Sequence, residues 1–393
     1  MAEKSRKLRL MIVFGTRPEV IKLAPVIHEL RRRARRFSTV ACFTAQHRQM
    51  CEALLRFFSI SPKHDLDVMI ENQSLMDIAT RTMRRLDKIA ALERPDMIIV
   101  QGDTTSAFAS ALLSFYRRIP VAHVEAGLRT YNISNPYPEE ANRQLIGRVA
   151  NLHFAPTRRA GRALTDEGIA RDSVFVTGNT VIDALHLALA TMKRRRKKAA
   201  RRPRRTRRLI LVTAHRRENF GKGIAEICSA LLDLVSRNDD VEIFLPVHPN
   251  PAVKGPIERS LSSNPRITLS PPLEYMDLIR IMEDSSIVLT DSGGLQEEAP
   301  ALGKPVVVMR DETERPEIVE AGGAVLAGPH RVRIVTEVER ILHDDRRYTR
   351  MARVRNPFGD GHAARRIVTI IGAWFDGRTA DMAALKKKVE FRP

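Results

Sequence analysis

The sequence predicts an α/β fold of two Rossmann-like lobes, and three observations carry that reading. The chain has 393 residues, more than one hydrophobic core organises. Short apolar runs alternate with stretches of helical periodicity through the first half. The same rhythm restarts after a Gly178-Asn179 turn and continues through the second half.

Taken in order, LRLMIVF at 8–14 reads as a parallel strand buried on both faces, and Gly15 turns the chain. Val20, Leu23, Ala24, Ile27 and Leu30 then recur at helical spacing across 19–33. Residues 39–44, 96–100 and 120–124 read as further strands. The last two end on Gln101-Gly102-Asp103 and on Glu125. After VFVT at 174–177, strand-like runs fall at 209–213, 242–246, 267–269, 287–290 and 305–309. The expected first lobe is 1–177, rejoined by a C-terminal helix over 367–393, and the expected second lobe is 178–366. In such doubly wound sheets ligands sit beyond the carboxyl ends of the strands, so the polar residues there are the candidates for chemistry.

Composition excludes several classes. No run of about 18 apolar residues is present, so no membrane span is expected. The basic N-terminus MAEKSRKLRL lacks the apolar core of a secretion signal. Cys42, Cys51 and Cys228 are odd in number and form no CxxC pair, which points to reduced thiols in a cytoplasmic protein. No HExxH or comparable ligand spacing suggests a metal, and no GxGxxG follows the first strand, which argues against a tightly bound dinucleotide. The net charge of +20 invites a nucleic-acid reading. The run 193–208, KRRRKKAARRPRRTRR, alone supplies 12 of those charges, and a second cluster, RRRARR, covers 31–36. Neither run contains an aromatic residue for base stacking. They read as a solvated loop and a helix end, and nucleic acid is not the expected partner.

Several segments bear chemistry. In TDSGGLQEEAP (290–300) a strand ends, two glycines turn the chain and a helix begins. Exposed N–H groups and the positive end of the helix dipole there favour a phosphate. Ser292, Gly293 and Gly294 are the candidates, with Glu298 one turn further on. A plain junction capped by Ser292 is the alternative. FGTRPEVIK (14–22) brings Arg17 and Lys22 to the same kind of strand end, as two cations for one diphosphate. QGDTT places Asp103 after a buried strand, either pointing at a ligand or capping a helix. Glu125 follows directly on an apolar strand, where a carboxylate is costly unless paired or working. Glu139, in PEEANR, opens a helix. Three carboxylates arriving from separate elements form a kit for moving protons at a sugar. TAHRREN puts His215 with Arg216 and Arg217 at a second-lobe strand end. Arg315 is a further cation, and His248 in PVHPN a weaker candidate.

Taken together and in order, FGTRPEVIK, TAQHRQM, QGDTTS, HVEAGLRT, PEEANRQ, VTGNTVIDA, TAHRREN, TDSGGLQEEAP, MRDETERPE and NPFGDG resemble the non-hydrolysing UDP-N-acetylglucosamine 2-epimerases of bacteria, from about residue 8 to 370. The resemblance implies a glycosyltransferase-B-like arrangement with the active site in the interdomain cleft, and a homodimer. It implies inversion of UDP-GlcNAc at C2 to UDP-ManNAc through 2-acetamidoglucal, with no cofactor and no metal. By the same resemblance Asp103, Glu125 and Glu139 are acid–base carboxylates, and His215 is an essential histidine at the diphosphate. Arg17, Lys22, Ser292, Gly293, Gly294, Glu298 and Arg315 are UDP-contacting positions. Gln46, Gln49, Gln73 and His248 are positions at which some relatives bind a second nucleotide sugar as activator. Gln101, where several relatives have His, and Leu278, where many have an aromatic, depart from the pattern. A hydrolysing relative that releases ManNAc and UDP, or an epimerase of a modified UDP-sugar, remains an alternative.

Overall fold

A computed structural model describes residues 6–71, 73–196, 206–377 and 382–393. The first strands and helices in chain order are β1 (Leu8–Phe14), α1 (Arg17–Arg32), β2 (Phe37–Phe43), α2 (Arg48–Phe57), β3 (His64–Asp65) and α3 (Leu75–Glu93). Next come β4 (Met97–Gln101), α4 (Thr105–Tyr116), β5 (Val121–Val124), α5 (Glu139–Val149), β6 (Leu152–Ala155), α6 (Arg158–Asp166), β7 (Val174–Val176) and α7 (Thr180–Arg196). The second half holds β8 (Arg208–Thr213), α8 (Lys222–Arg237), β9 (Val241–Pro246), α9 (Pro251–Leu261), β10 (Ile267–Ser270), α10 (Tyr275–Asp284) and β11 (Ile287–Thr290). It continues with α11 (Gly293–Ala301), β12 (Val306–Val308), α12 (Pro316–Glu320), β13 (Ala324–Leu326), α13 (Arg331–His343) and α14 (Asp345–Ala352). The chain closes with α15 (Ala363–Phe375) and α16 (Met382–Val389).

Two parallel sheets with helices interleaved between their strands make up the molecule, which is the α/β class the sequence predicts. The first has the order β3-β2-β1-β4-β5-β6-β7, the second β10-β9-β8-β11-β12-β13. Strands buried on both faces need apolar residues at every position. β1 and β4 supply them: Leu10, Met11, Ile12, Val13, Ile98, Ile99 and Val100 are all buried. Each such side chain contributes about 1.5–3 kcal/mol. In the second sheet Ile210, Val212, Ile243, Leu245, Ile287 and Leu289 pack with Leu231, Leu234, Ile334 and Val338 from α8 and α13.

The chain divides into two compact units, Met1–Leu187 with Phe358–Pro393, and Ala188–Pro357. The division therefore falls within α7 and at Phe358, and the Gly178-Asn179 turn belongs wholly to unit 1. Hydrogen bonds explain the shift from residue 177. Asn179 N donates to Phe358 O at 2.6 Å. Asp183, in the first turn of α7, accepts from Ala363 N and Ala364 N at 3.1 and 2.8 Å. The start of α7 is thus tied to the returning chain. The helix α15 packs on α1, where Arg36 pairs with Asp376 at 2.6 Å.

The reading of 193–208 as a loop needs correction at both ends. Residues up to Arg196 are helical in α7, built from good helix formers. Arg208 opens β8 and pairs with Asp240 at 2.6 Å. Residues 197–205 lie outside the described residues. No helix among the described residues is long and apolar enough to cross a membrane.

Each strand order contains a reversal, at β1/β4 in unit 1 and at β8/β11 in unit 2. At such a switch point adjacent connections leave in opposite directions and open a crevice beyond the carboxyl ends of the strands. The segments after β1 and β4, and after β8 and β11, carry most of the candidate residues.

Candidate active-site residues

In unit 1 the organising group is Glu125. It follows β5 with a φ of +63°, a left-handed conformation that costs a non-glycine residue about 1–2 kcal/mol. The kink turns its side chain into a ring of donors. Lys22 Nζ donates to both carboxylate oxygens at 2.6 and 2.7 Å. Asn179 Nδ2 donates to Oε1 at 2.9 Å, and Gln101 Nε2 donates to Oε2. Glu125 is only 8% exposed. Lys22 is thereby committed to Glu125. Arg17, with which the sequence reading grouped it, makes no hydrogen bond or ion pair among the described residues.

Asp103 does not cap α4. The cap is Thr104, whose hydroxyl accepts from Ala107 N at 3.0 Å. The Asp103 carboxylate instead meets Arg143 Nη2 at 2.6 Å. Burial raises its pKa, Arg143 opposes that shift, and the like charges of Glu125 and Glu139 add to it. Of the adjacent carboxylates that open α5, Glu140 is fully buried and spent on structure. It accepts from Thr130 N, Tyr131 N and Gln144 Nε2 at 3.0, 3.2 and 2.8 Å. Glu139 is half-buried and has no such partner among the described residues, so its carboxylate is available.

The sequence reading missed Glu19. It is buried, and its Oε2 accepts from Gly15 N and Thr16 N at 2.7 Å each. Its Oε1 accepts from Thr104 Oγ1 at 2.6 Å. One side chain thus joins the turn that presents Arg17 to the turn that presents Asp103. The Thr16-x-x-Glu19 spacing of a capping box was the available signal.

The three remaining candidate glutamines have different surroundings. Gln46 Oε1 accepts from Ser106 Oγ at 2.8 Å, Gln49 is exposed, and Gln73 Oε1 accepts from Ile70 N at 3.1 Å.

In unit 2 the organising group is Asp291, which is fully buried at the end of β11. Its Oδ2 accepts from His215 N, Arg216 N and Asn219 Nδ2 at 2.8, 2.9 and 3.1 Å. Its Oδ1 faces His215 Nδ1 at 3.2 Å. The β8 and β11 loops are therefore joined through one carboxylate, and the imidazole lies with its Nδ1 edge toward it. Burial lowers the His215 pKa, and Asp291 opposes that shift. The ring of His248 stacks on it, with centroids 6.1 Å apart.

Ser292 stands at the N-cap position of α11, yet its hydroxyl makes no capping bond. The plain-cap alternative therefore does not account for it. Two cations come within ordinary contact of Gly293: a Cβ there would lie 3.8 Å from Arg216 Nη2 and 3.9 Å from Arg315 Cζ. Arg315 is held from behind by Glu297 through its Nε. Glu298 accepts from Tyr275 Oη at 2.9 Å. A helix N-terminus, a spare hydroxyl and two guanidinium groups make an anion site suited to phosphate oxygens. Among the described residues no three of His, Cys, Asp or Glu form a set that could hold a metal ion.

Comparison with known proteins gives this chemistry a family. The family model described as UDP-N-acetylglucosamine 2-epimerase matches residues 28–372. The UDP-N-acetylglucosamine 2-epimerase of Escherichia coli (strain K12) is 47% identical over 367 residues, covering 92% of this chain and 97% of its own. The crystal structure of UDP-GlcNAc 2-epimerase from Neisseria meningitidis bound to UDP-GlcNAc is 44% identical with a TM-score of 0.85, covering 93% of this chain and 99% of that one. The Methanocaldococcus jannaschii enzyme in complex with UDP-GlcNAc and UDP is 32% identical with a TM-score of 0.78, over the same shares of the two chains. Agreement in sequence and in fold over nine-tenths of the molecule establishes that this chain belongs to the UDP-N-acetylglucosamine 2-epimerase family.

Proposed function

We propose that the protein interconverts UDP-GlcNAc and UDP-ManNAc without hydrolysis, by eliminating UDP and adding it back. The observation that carries this reading is the state of the unit 1 carboxylates. Glu125 is gripped by Lys22, Gln101 and Asn179, while burial raises the proton affinity of nearby Asp103 and Glu139 is left available. A raised carboxyl pKa suits a group that must take and return a proton near neutral pH.

In the elimination, the C2 proton passes to a carboxylate and the C2–H electron pair forms the C1=C2 bond. The C1–O bond breaks, and UDP departs with that bond's electrons. In the return step a UDP oxygen adds to C1 and C2 is protonated on the opposite face. Asp103 and Glu139 are the exchanging acids and bases in this proposal. In unit 2, Ser292, the Gly293-Gly294 helix entrance, Arg216, Arg315 and His215 neutralise the diphosphate as it leaves and returns. Glu298, oriented by Tyr275, takes a ribose hydroxyl. We further propose a cytoplasmic homodimer that supplies precursors for cell-surface polysaccharide. Light scattering after size exclusion tests the dimer.

Proton NMR of UDP-GlcNAc incubated with the enzyme in deuterium oxide tests the reaction. The expected result is UDP-ManNAc, with deuterium at C2 of both nucleotide sugars. Accumulation of free ManNAc and UDP alone would overturn the non-hydrolysing reading. Protium retained at C2 would overturn proton transfer there.

A further inference from the structure

The three carboxylates assigned to unit 1 are not held alike, and the difference separates their work. Glu125 receives hydrogen bonds from three elements: Lys22 on α1, Gln101 at the end of β4, and Asn179 in the turn before α7. Both amides are themselves fixed. Gln101 and Asn179 are each 2% exposed. The Asn179 Oδ1 accepts from Val181 N at 3.1 Å and its backbone N donates to Phe358 O at 2.6 Å. Its Nδ2 is thus the end that faces the carboxylate. A protonated Glu125 would set an O–H among N–H donors and leave buried donors unsatisfied. Among the described residues, the ionisable groups that face Glu125 include Lys22, Asp103 and, from β5, His123. His123 Nε2 donates to Gly102 O, 2.7 Å away, and burial keeps the ring neutral. Asp103 pairs directly with one cation, Arg143, feels Lys22 at longer range, and has two like charges around it.

We propose that Gln101 and Asn179 are positioning residues that, with Lys22, hold Glu125 as a permanent carboxylate anion, so that Asp103 is its neighbour whose protonation changes during the reaction. This inference rests on the epimerase reading above. The fixed charge of Glu125 raises the proton affinity of Asp103 and stabilises positive charge that builds at the anomeric carbon as C1–O breaks. Neither amide touches a reacting atom, and both act through Glu125.

The test replaces an amide by a carboxylate of the same size. Two carboxylates at hydrogen-bond distance cannot both ionise near neutral pH, and one takes up a proton. Lys22 and the remaining amide keep Glu125 charged, so the introduced carboxyl holds that proton and donates to Glu125 as the amide did. In Gln101→Glu and in Asn179→Asp, kcat/KM is therefore expected to stay near the wild-type value at pH 6 and to fall about 10-fold or more by about pH 9, where the introduced carboxyl loses that proton. Gln101→His, which keeps a ring N–H donor, is expected to retain the wild-type pH profile. The measurement is kcat/KM for UDP-GlcNAc from about pH 5.5 to 9.5, with the wild type run first. An inactive wild type would refute the epimerase reading itself. An active wild type with either carboxylate variant matching its pH profile, or losing activity equally at all pH values, would overturn the positioning role. The two sites are independent, so a variant that fails to fold leaves the other to decide.

Discussion

Removing the Glu19 side chain should cost unit 1 more stability than removing its charge, and the two effects can be separated. Glu19→Ala leaves Gly15 N, Thr16 N and the Thr104 hydroxyl without their acceptor in a buried setting. A buried donor left unpaired costs about 1–3 kcal/mol. Relief of a buried charge offsets part of that, so the net loss should be about 3–5 kcal/mol. Glu19→Gln keeps one amide oxygen, and both backbone donors already share a single Glu19 oxygen. The Thr104 hydroxyl can rotate to accept from the new amide. The expected loss is about 1 kcal/mol.

The pH dependence supplies a second check. Burial raises the Glu19 pKa above its ordinary value of 4.5, against hydrogen bonds that lower it. A raised native pKa means that the folded state binds the proton more tightly. Its stabilising contribution is complete below pH 4.5 and is lost as pH rises through the native pKa. Glu19→Gln lacks that loss, so it should gain on the wild type as pH rises through this window. The chain's single tryptophan is Trp374, on α15, which packs against α1. Its fluorescence during urea unfolding therefore reports the unit that contains Glu19. Equal losses for Ala and Gln, or a wild-type-to-Gln difference that does not change with pH, would refute this account. In turnover, Glu19→Ala should also lower kcat, because the Arg17 and Asp103 turns lose their common tie.

Two further outcomes follow from buried carboxylates. Burial pushes the Asp183 pKa up to about 6 from 3.8, so its charged form burdens the fold above pH 6 by about 3 kcal/mol at most. Asp183→Asn, which can still accept from the first turn of α15, should be less stable than wild type at pH 4 and at least as stable at pH 8. Trp374-monitored unfolding with the opposite order would sink the argument. In unit 2, Asp291→Ala strips His215 of the charge that opposes its lowered pKa. Its imidazole should therefore titrate at lower pH by NMR, and the β8 and β11 loops should lose hydrogen-exchange protection. An unmoved titration would show that Asp291 does not orient the ring.

Much of this architecture was legible because parallel strands buried on both faces announce themselves as unbroken apolar runs. β4, β8 and β11 do so, β1 and β5 are interrupted only by Arg9 and His123, and the residues just beyond these strands became the candidate site. The three strands that escaped have other reasons to exist. β3 is two residues long at a sheet edge and carries His64 and Asp65. β6 contains His153, whose Nε2 is satisfied by Gly147 O at 2.9 Å. β13 is three residues long at the opposite edge of its sheet. Side-chain choices were harder. Arg17 and Lys22 look equivalent as cations, but Lys22 reaches a carboxylate 103 positions away that no local pattern points to. Glu139 and Glu140 are adjacent, and only burial shows that one holds a loop together while the other remains available.

The strained Glu125 explains why the chain's last segment belongs to unit 1. Its left-handed backbone costs free energy that β5 alone gives no reason to spend. The expense is offset only when the carboxylate meets all its donors at once. Two of those donors stand on neighbouring structure of the first sheet, Lys22 after β1 and Gln101 at the end of β4. The third, Asn179, sits in a turn whose backbone is fixed by Phe358, and Phe358 is where the chain re-enters the unit. Asp183 then fastens the first turn of α15 to α7 a few residues away. The returning segment is therefore part of the support of the Glu125 carboxylate, and the long excursion through the second sheet ends at a residue that holds the first unit's chemistry in register.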